Sequence, residues 1–213
     1  YLTGEKVLGI GDASGMFPVD VQNQSYRKDL LAKADQLLQA HGFNKSMCDI
    51  LPSIKSAGEV AGYLTKEGAQ LLDPEGNLEP GCIMCPPEGD AGTGMVATNA
   101  ITPQSGNISA GTSAFAMIVL DHPLQKVYPE VDIVATPSSS EVAMIHSNNC
   151  TSEINAWMNL FEELFKTMGV NFSQDDLYGQ ILKASEKSDD DLGGLLSYGY
   201  VSGENITNVE VGY

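Results

Sequence analysis

Two Gly-rich turns between Pro86 and Ala116 hold the residues of this chain best suited to chemistry. The first, Glu88-Gly89-Asp90-Ala91-Gly92-Thr93-Gly94, presents the carboxylate of Asp90 between glycines. The second, Ser109-Ala110-Gly111-Thr112-Ser113, sits in a run of strand-forming residues, with Ile108 before it and Phe115 to Leu120 after it. An Asp on a tight turn can take a proton from an attacking hydroxyl. A Gly-Thr-Ser turn can offer N–H and O–H donors to phosphate oxygens, so the pair suits phosphoryl transfer. The same residue types also suit two ordinary surface loops, because motifs this short recur by chance.

Other groups carry weaker signals. Gly9-Ile10-Gly11-Asp12-Ala13-Ser14-Gly15 reads as a Gly-rich turn without the following helix and acidic residue of a dinucleotide-binding fingerprint. Its small residues would still let a ligand approach the backbone. Cysteines stand at positions 48, 82, 85 and 150. Cys82 and Cys85 form one CxxC, with no second pair or His cluster to complete a zinc site, and the four read as reduced thiols. The acidic runs Asp175-Asp176 and Glu186 to Asp191 read as solvated faces, and no metal-ligand set stands out.

The 213 residues suffice for one large domain or parts of two. With 28 acidic against 11 basic residues the net charge is −17. Such a chain repels phosphate backbones, which argues against a nucleic-acid partner. No apolar run is long enough to span a membrane, and no basic-then-apolar leader pattern is visible, so a cytoplasmic protein is expected. A homodimer is neither indicated nor opposed. The chain begins at Tyr1 without an initiator Met, as a processed protein or a part of a longer one would.

Several elements must position these turns. Tyr1 to Leu8 reads as the end of an element entering a loop. Leu30, Leu31, Ala34, Leu37 and Leu38 fall at helical spacing between Ser25 and His41, with Gly42 as the stop. Leu51 to Ser56 is extended. Thr65 is the expected N-cap of a short helix, Lys66 to Leu72, ended by Asp73-Pro74. Pro80 to Cys85 is expected as a short buried strand leading to Asp90, followed by a helix of small residues over 91–100. Asn107 to Leu120 reads as a β-hairpin with Gly-Thr-Ser at its tip. Strands follow at Val131 to Ala135 and Glu141 to His146. Thr151 or Ser152 then caps an amphipathic helix that Gly169 ends. Its Trp157 is read as core in preference to a sugar-stacking platform. Asp175 to Ala184 is a further helix, and Val201 to Tyr213 reads as loop and strand.

Taken together, these segments resemble the FGGY family of carbohydrate kinases, in order and over most of the chain. Ala57 to Thr65 with Ala69 resembles the family's G-x-L-T…A segment, and Leu78-Glu79-Pro80-Gly81 its GLxxGTPV turn. Glu88-Gly89-Asp90 stands where the family has Gly-Gly-Asp, whose Asp is the catalytic base. Gly106 with Ser109 to Ser113 resembles its S-x-G-T-S phosphate turn. Leu196-Ser197-Tyr198 with Val201-Ser202-Gly203-Glu204 is similar to its PYLSGER segment. Two residues depart from the pattern: Glu88 replaces a Gly, and Asn205 replaces the Arg after Gly203-Glu204. The family's N-terminal phosphate motif and C-terminal adenosine motif are not present.

The resemblance implies an α/β, actin-like (ribonuclease H-like) ATPase fold and the central part of a longer kinase. Residues 1–102 would be the end of a first, sugar-binding domain and 103–213 the start of a second, nucleotide-binding one, with ATP and Mg²⁺ bound in the cleft between domains. Asp90 would be the general base acting on a ketose or polyol hydroxyl. Gly111, Thr112 and Ser113 would hold ATP phosphates. Asp12 would lie on the sugar side, unless it only caps its own turn. The alternatives are a non-catalytic sugar- or nucleotide-binding relative, an isolated structural domain, and a thiol redox protein using Cys82 and Cys85.

Overall fold

The computed structural model of the chain describes residues 1–210. Two compact units divide it. One comprises Tyr1–Asn107 with Ala116–Ile145, the other Ile108–Phe115 with the chain from His146 onward.

In the first unit, β1 (Val7–Gly9) runs directly into α1 (Ile10–Met16). The segment read as a Gly-rich turn is therefore a helix, contrary to expectation. Ile10, Ala13 and Ser14 fall at i, i+3 and i+4, and all three are buried. Their packing against a later strand outweighs the cost of the helical glycines, about 0.5–1 kcal/mol each relative to Ala. Two short pieces, β2 (Val19–Asp20) and β3 (Ser25–Tyr26), pair antiparallel and lead to α2 (Lys28–Ala40), where the Leu periodicity placed a helix. His41 Nδ1 lies 2.8 Å from the Leu37 carbonyl, a helix-end contact. Asp35 on α2 accepts the Met47 N–H (2.7 Å) and the Ser46 hydroxyl (2.8 Å). It thereby ties down the short α3 (Met47–Ile50).

The chain then enters β4 (Ser53–Lys55), which pairs parallel with β1 in the register Val7 to Ser53. After β5 (Gly62–Tyr63), Thr65 caps α4 (Lys66–Leu72) by accepting the Gly68 N–H at 2.9 Å, at the expected residue. β5 pairs antiparallel with β6 (Ile83–Met84). The expectation of a buried strand here fails, since Cys82 and Ile83 are exposed. The pair covers little of the core because each of its strands has only two residues. Next comes α5 (Asp90–Ala97), with Met95 turned into the core; the first Gly-rich segment is therefore helix from Asp90 onward and not the tight turn expected.

The largest sheet has the order β7-β8-β10-β9. Its strands are β7 (Gly106–Ala110), β8 (Ala114–Val119), β9 (Asp132–Ala135) and β10 (Glu141–Ser147). β7 and β8 form the expected hairpin. β9 and β10 pair antiparallel with Ala135 opposite Glu141 and Val134 opposite Val142. Met117, Val119, Ala135 and Val142 are buried side chains of this sheet. Ala135 is also where α1 is fastened: its N–H donates to the Ser14 hydroxyl (2.9 Å), and that hydroxyl donates to the Gly11 carbonyl.

The second unit contains the hairpin tip, α6 (Thr151–Thr167) and α7 (Gln174–Ser185). Its buried apolar side chains are Met158 and Leu177. Trp157, expected in the core, is 51% exposed and packs beside Phe161, one turn on along the same helix. α6 also lacks the expected hydroxyl cap. Cys150 stands at the N-cap without a capping hydrogen bond, and Thr151 and Ser152 are helical. The last three residues of the segment read as loop and strand lie outside the described residues.

Ser14→Ala removes one oxygen and leaves the buried Ala135 N–H without a partner, so we expect a loss of about 1–3 kcal/mol of stability. Urea unfolding of the variant against the parent checks this. An unchanged midpoint would show that the bond contributes nothing.

Candidate functional site

In the first unit, the start of α1, which carries Asp12, meets Glu88 and Gly89, the two residues that precede Asp90. Asp90 is the first residue of α5 and follows the extended N-cap Gly89. Both Asp12 and Asp90 are exposed. Neither forms an ion pair with a Lys, Arg or His among the described residues. Glu88 lies between them, half-buried, with its two oxygens on consecutive backbone amides. Oε1 accepts the Gly11 N–H at 3.1 Å and Oε2 the Asp12 N–H at 2.8 Å. Both donors belong to the first turn of α1, whose amides have no partner within the helix. Burial pushes the Glu88 carboxyl above the ordinary glutamate range. The two amides pull it down, and the charge of Asp12 pushes it up again.

Glycines make this contact sterically feasible. A Cβ on Gly9 would stand 2.2 Å from Glu88 Oε1, and one on Gly11 2.6 Å from Oε2. Reciprocally, a Cβ on Gly89 would stand 2.8 Å from Asp12 Oδ1. The carboxylate of Asp12 therefore rests over the residue immediately before Asp90. Asp12 does not cap its own turn: the anion at the start of α1 is Glu88. The cavities bordered by Val19, Arg27 and Glu141 include none of these three carboxylates.

In the second unit, the hairpin tip Gly111-Thr112-Ser113 is held from behind by α6. The Gly111 carbonyl accepts both the N–H (3.0 Å) and the hydroxyl (2.7 Å) of Thr151, and the Thr112 carbonyl accepts the Ser152 hydroxyl at 3.0 Å. The two hydroxyls expected to cap α6 are thus spent on the tip. The tip's N–H groups are used less. Gly111 donates to the Ser113 carbonyl at 2.8 Å, while the Thr112 N–H and hydroxyl meet no acceptor among the described residues. A Cβ at Gly111 would approach nothing closer than 3.7 Å. No neighbouring protein atom therefore crowds that position.

The PYLSGER-like segment supplies a clasp that reading the sequence missed. Glu204 is 5% exposed, and its Oε2 accepts the Ser147 hydroxyl (2.8 Å) and the Asn148 N–H (3.1 Å). Asn149 completes the clasp. Its Nδ2 donates to the Gly203 carbonyl at 2.7 Å, and its Oδ1 accepts the Ser202 N–H at 3.0 Å. Burial pushes the Glu204 carboxyl up, but the hydrogen bonds from Ser147, Asn149, Asn148 and Ile206 outweigh it and hold the group below the ordinary value. Its Oε1 is buried without a partner among the described residues. Among the described residues, no group of three or more His, Cys, Asp or Glu side chains is arranged to hold a metal ion.

Comparison with known proteins places this geometry in a family. The C-terminal domain of the FGGY family of carbohydrate kinases matches residues 106–212. The chain belongs to that family. Among solved structures it is similar to xylulose kinase from Rhodospirillum rubrum, at 18% identity and TM-score 0.69, over 95% of this chain and 37% of that one. It is also similar to gluconate kinase from Lactobacillus acidophilus, at 17% identity and TM-score 0.65, over 95% of this chain and 36% of that one. These likenesses establish the fold, which is the α/β, actin-like ATPase architecture in part. The chain spans little more than a third of the length of those structures. No curated protein sequence matches it.

A depressed carboxyl stabilises the fold above its unfolded-state value, 4.5 for Glu, and that stabilisation is lost as pH falls through the folded value. We therefore expect the parent's urea midpoint to fall on acidification below about 4.5, and Glu204→Gln to flatten that part of the curve. Parallel curves for parent and variant would show that Glu204 does not titrate in this window.

Proposed function

We propose that the full-length protein is an ATP-dependent carbohydrate kinase that transfers the γ-phosphate to a hydroxyl of a ketose or polyol, with Asp90 as the general base. The observation that carries this reading is the placement of Asp90. It is an exposed carboxylate on the first turn of α5, free of any ion pair among the described residues, with Asp12 seated over the preceding glycine. A sugar hydroxyl is a weak nucleophile at neutral pH. A carboxylate within hydrogen-bond reach orients it and accepts its proton as the new P–O bond forms, which is worth about 10²–10⁴-fold in rate. Asp12 is placed to accept a second hydroxyl of the same acceptor, which helps to fix which oxygen meets Asp90.

Thr112, with its N–H and hydroxyl unengaged, is the donor assigned to ATP phosphate oxygens; Gly111, with its open face, allows their close approach, and Ser113 closes the turn. Bound ATP supplies the phosphoryl group, and Mg²⁺ enters with its triphosphate as counter-ion. No described residue is assigned to that metal. Under this reading residues 1–102 end the acceptor-binding domain and 103–213 begin the nucleotide-binding one. Xylulose and gluconate, named for the similar structures, are the first acceptors to try, with other ketoses and polyols beside them.

The test is ADP release by the full-length protein with Mg-ATP and a panel of ketoses, polyols and aldonates. We expect acceptor-dependent turnover that falls at least 10²-fold in Asp90→Asn while ATP binding persists. Turnover retained in that variant removes Asp90 from the role. ATP binding without turnover on any acceptor favours the non-catalytic relative. In Gly111→Ala we expect a raised KM for ATP with an unchanged melting temperature. A lowered melting temperature at unchanged KM would make that glycine structural.

A further inference from the structure

We propose that Glu88 is a positioning residue of the acceptor site: by engaging the Gly11 and Asp12 amides together, it locks the start of α1 to the Asp90 turn and sets Asp12 beside the base. The inference rests on the reading of Asp90 as base.

Three observations carry it. First, the contact joins consecutive amides to the two oxygens of one rigid carboxylate, at 3.1 and 2.8 Å, which fixes an orientation as well as a distance. Second, the two loops interlock. Glu88 of the Asp90 turn rests on the bare Cα atoms of Gly9 and Gly11, and Asp12 rests on the bare Cα of Gly89. The Gly9 N–H also donates to the Pro87 carbonyl at 2.8 Å, so the two segments are bonded on both sides of the carboxylate. Third, Glu88 stands where the family pattern carries Gly, so this tie belongs to this chain's own version of the site. The charged group facing Glu88 is Asp12 on α1, and no Lys, Arg or His pairs with it among the described residues. Holding one carboxylate half-buried beside another is unfavourable for stability alone, and it fits a need to fix where Asp12 points.

The consequence is a division of labour. Asp90 takes the proton, Asp12 holds the acceptor, and Glu88 touches neither substrate. Its protonation would remove one of the two acceptors and free the start of α1. Burial raises the pH at which that happens.

The experiment uses the full-length protein with whichever acceptor the panel identifies, comparing Glu88→Gln, Glu88→Gly and Asp90→Asn. In Glu88→Gln one oxygen becomes an NH₂ that cannot accept. We expect kcat to fall about tenfold with KM for ATP unchanged, and the acid limb of kcat to move to lower pH because the raised carboxyl is gone. Glu88→Gly, which installs the family's residue, should lose at least as much kcat, and it decides the matter should the Gln variant not fold. Parent-like kcat in either folded variant overturns the proposal. So does a loss that follows only the fraction of protein folded at the assay temperature, or an acid limb that does not move. Turnover retained in Asp90→Asn overturns the base assignment and this inference with it. An inactive Asp90→Asn beside a parent-like Glu88→Gln overturns this inference alone.

Discussion

The hydrogen bond between the Ser14 hydroxyl and the Ala135 N–H is the constraint on which the meeting of Asp12 and Glu88 depends. α1 is short and glycine-rich, and it has little helical stability of its own. It is helical because Ile10 and Ala13 are wholly buried and because Ser14 fastens it to β9. Without that anchor the amides of Gly11 and Asp12 would have no fixed direction, and neither Glu88 nor Asp12 would have a fixed place. The position of those two carboxylates is thus set by one buried hydroxyl.

The two candidate regions are prepared by different means. Around Glu88, carboxylates and bare glycines of two segments fit into one another, so each segment's geometry is a condition of the other's. In the second unit, the hairpin tip turns its carbonyls toward α6, where Thr151 and Ser152 take them, and Thr112 keeps its donors unengaged. A turn cannot satisfy every backbone group at once. Here the carbonyls are satisfied from behind, which leaves a donor-rich face. The Glu204 clasp gives the same unit a second brace through Ser147 and Asn149.

Local signals explain what was legible in the sequence. Thr65, the hairpin residues around Gly111, and the periodic Leu residues of α2 each encode their element within a few positions, and the structure has them where they were read. The Gly-Thr-Ser tip was legible because it interrupts a run of strand-forming residues, whereas the first Gly-rich segment, read as a tight turn, is helical from Asp90 onward. What escaped detection depends on partners far along the chain. α1 looked like a turn because the residues that make it helical, Glu88 and Ala135, are remote. Trp157 looked like core because helical spacing shows only that a face is apolar, not that anything covers it. The roles of Thr151 and Ser152 were misread for the same reason: a hydroxyl at a helix start ordinarily turns back to the helix, and here a neighbouring turn claims it.

The first unit is discontinuous in sequence, since residues 116–145 complete what Tyr1–Asn107 begins. On a ribosome this has a temporal cost. Ser14 and the Ala135 N–H that fastens it are 121 positions apart. At about 5–20 residues per second, α1 is outside the exit tunnel for on the order of ten seconds before its anchor exists. During that interval Ile10 and Ala13 have no β9 to cover them, and the nascent chain presents them to whatever binds exposed apolar segments. The Asp12–Glu88 contact is therefore among the last parts of its unit to mature, although Asp12 itself is made well before the strand that fixes it.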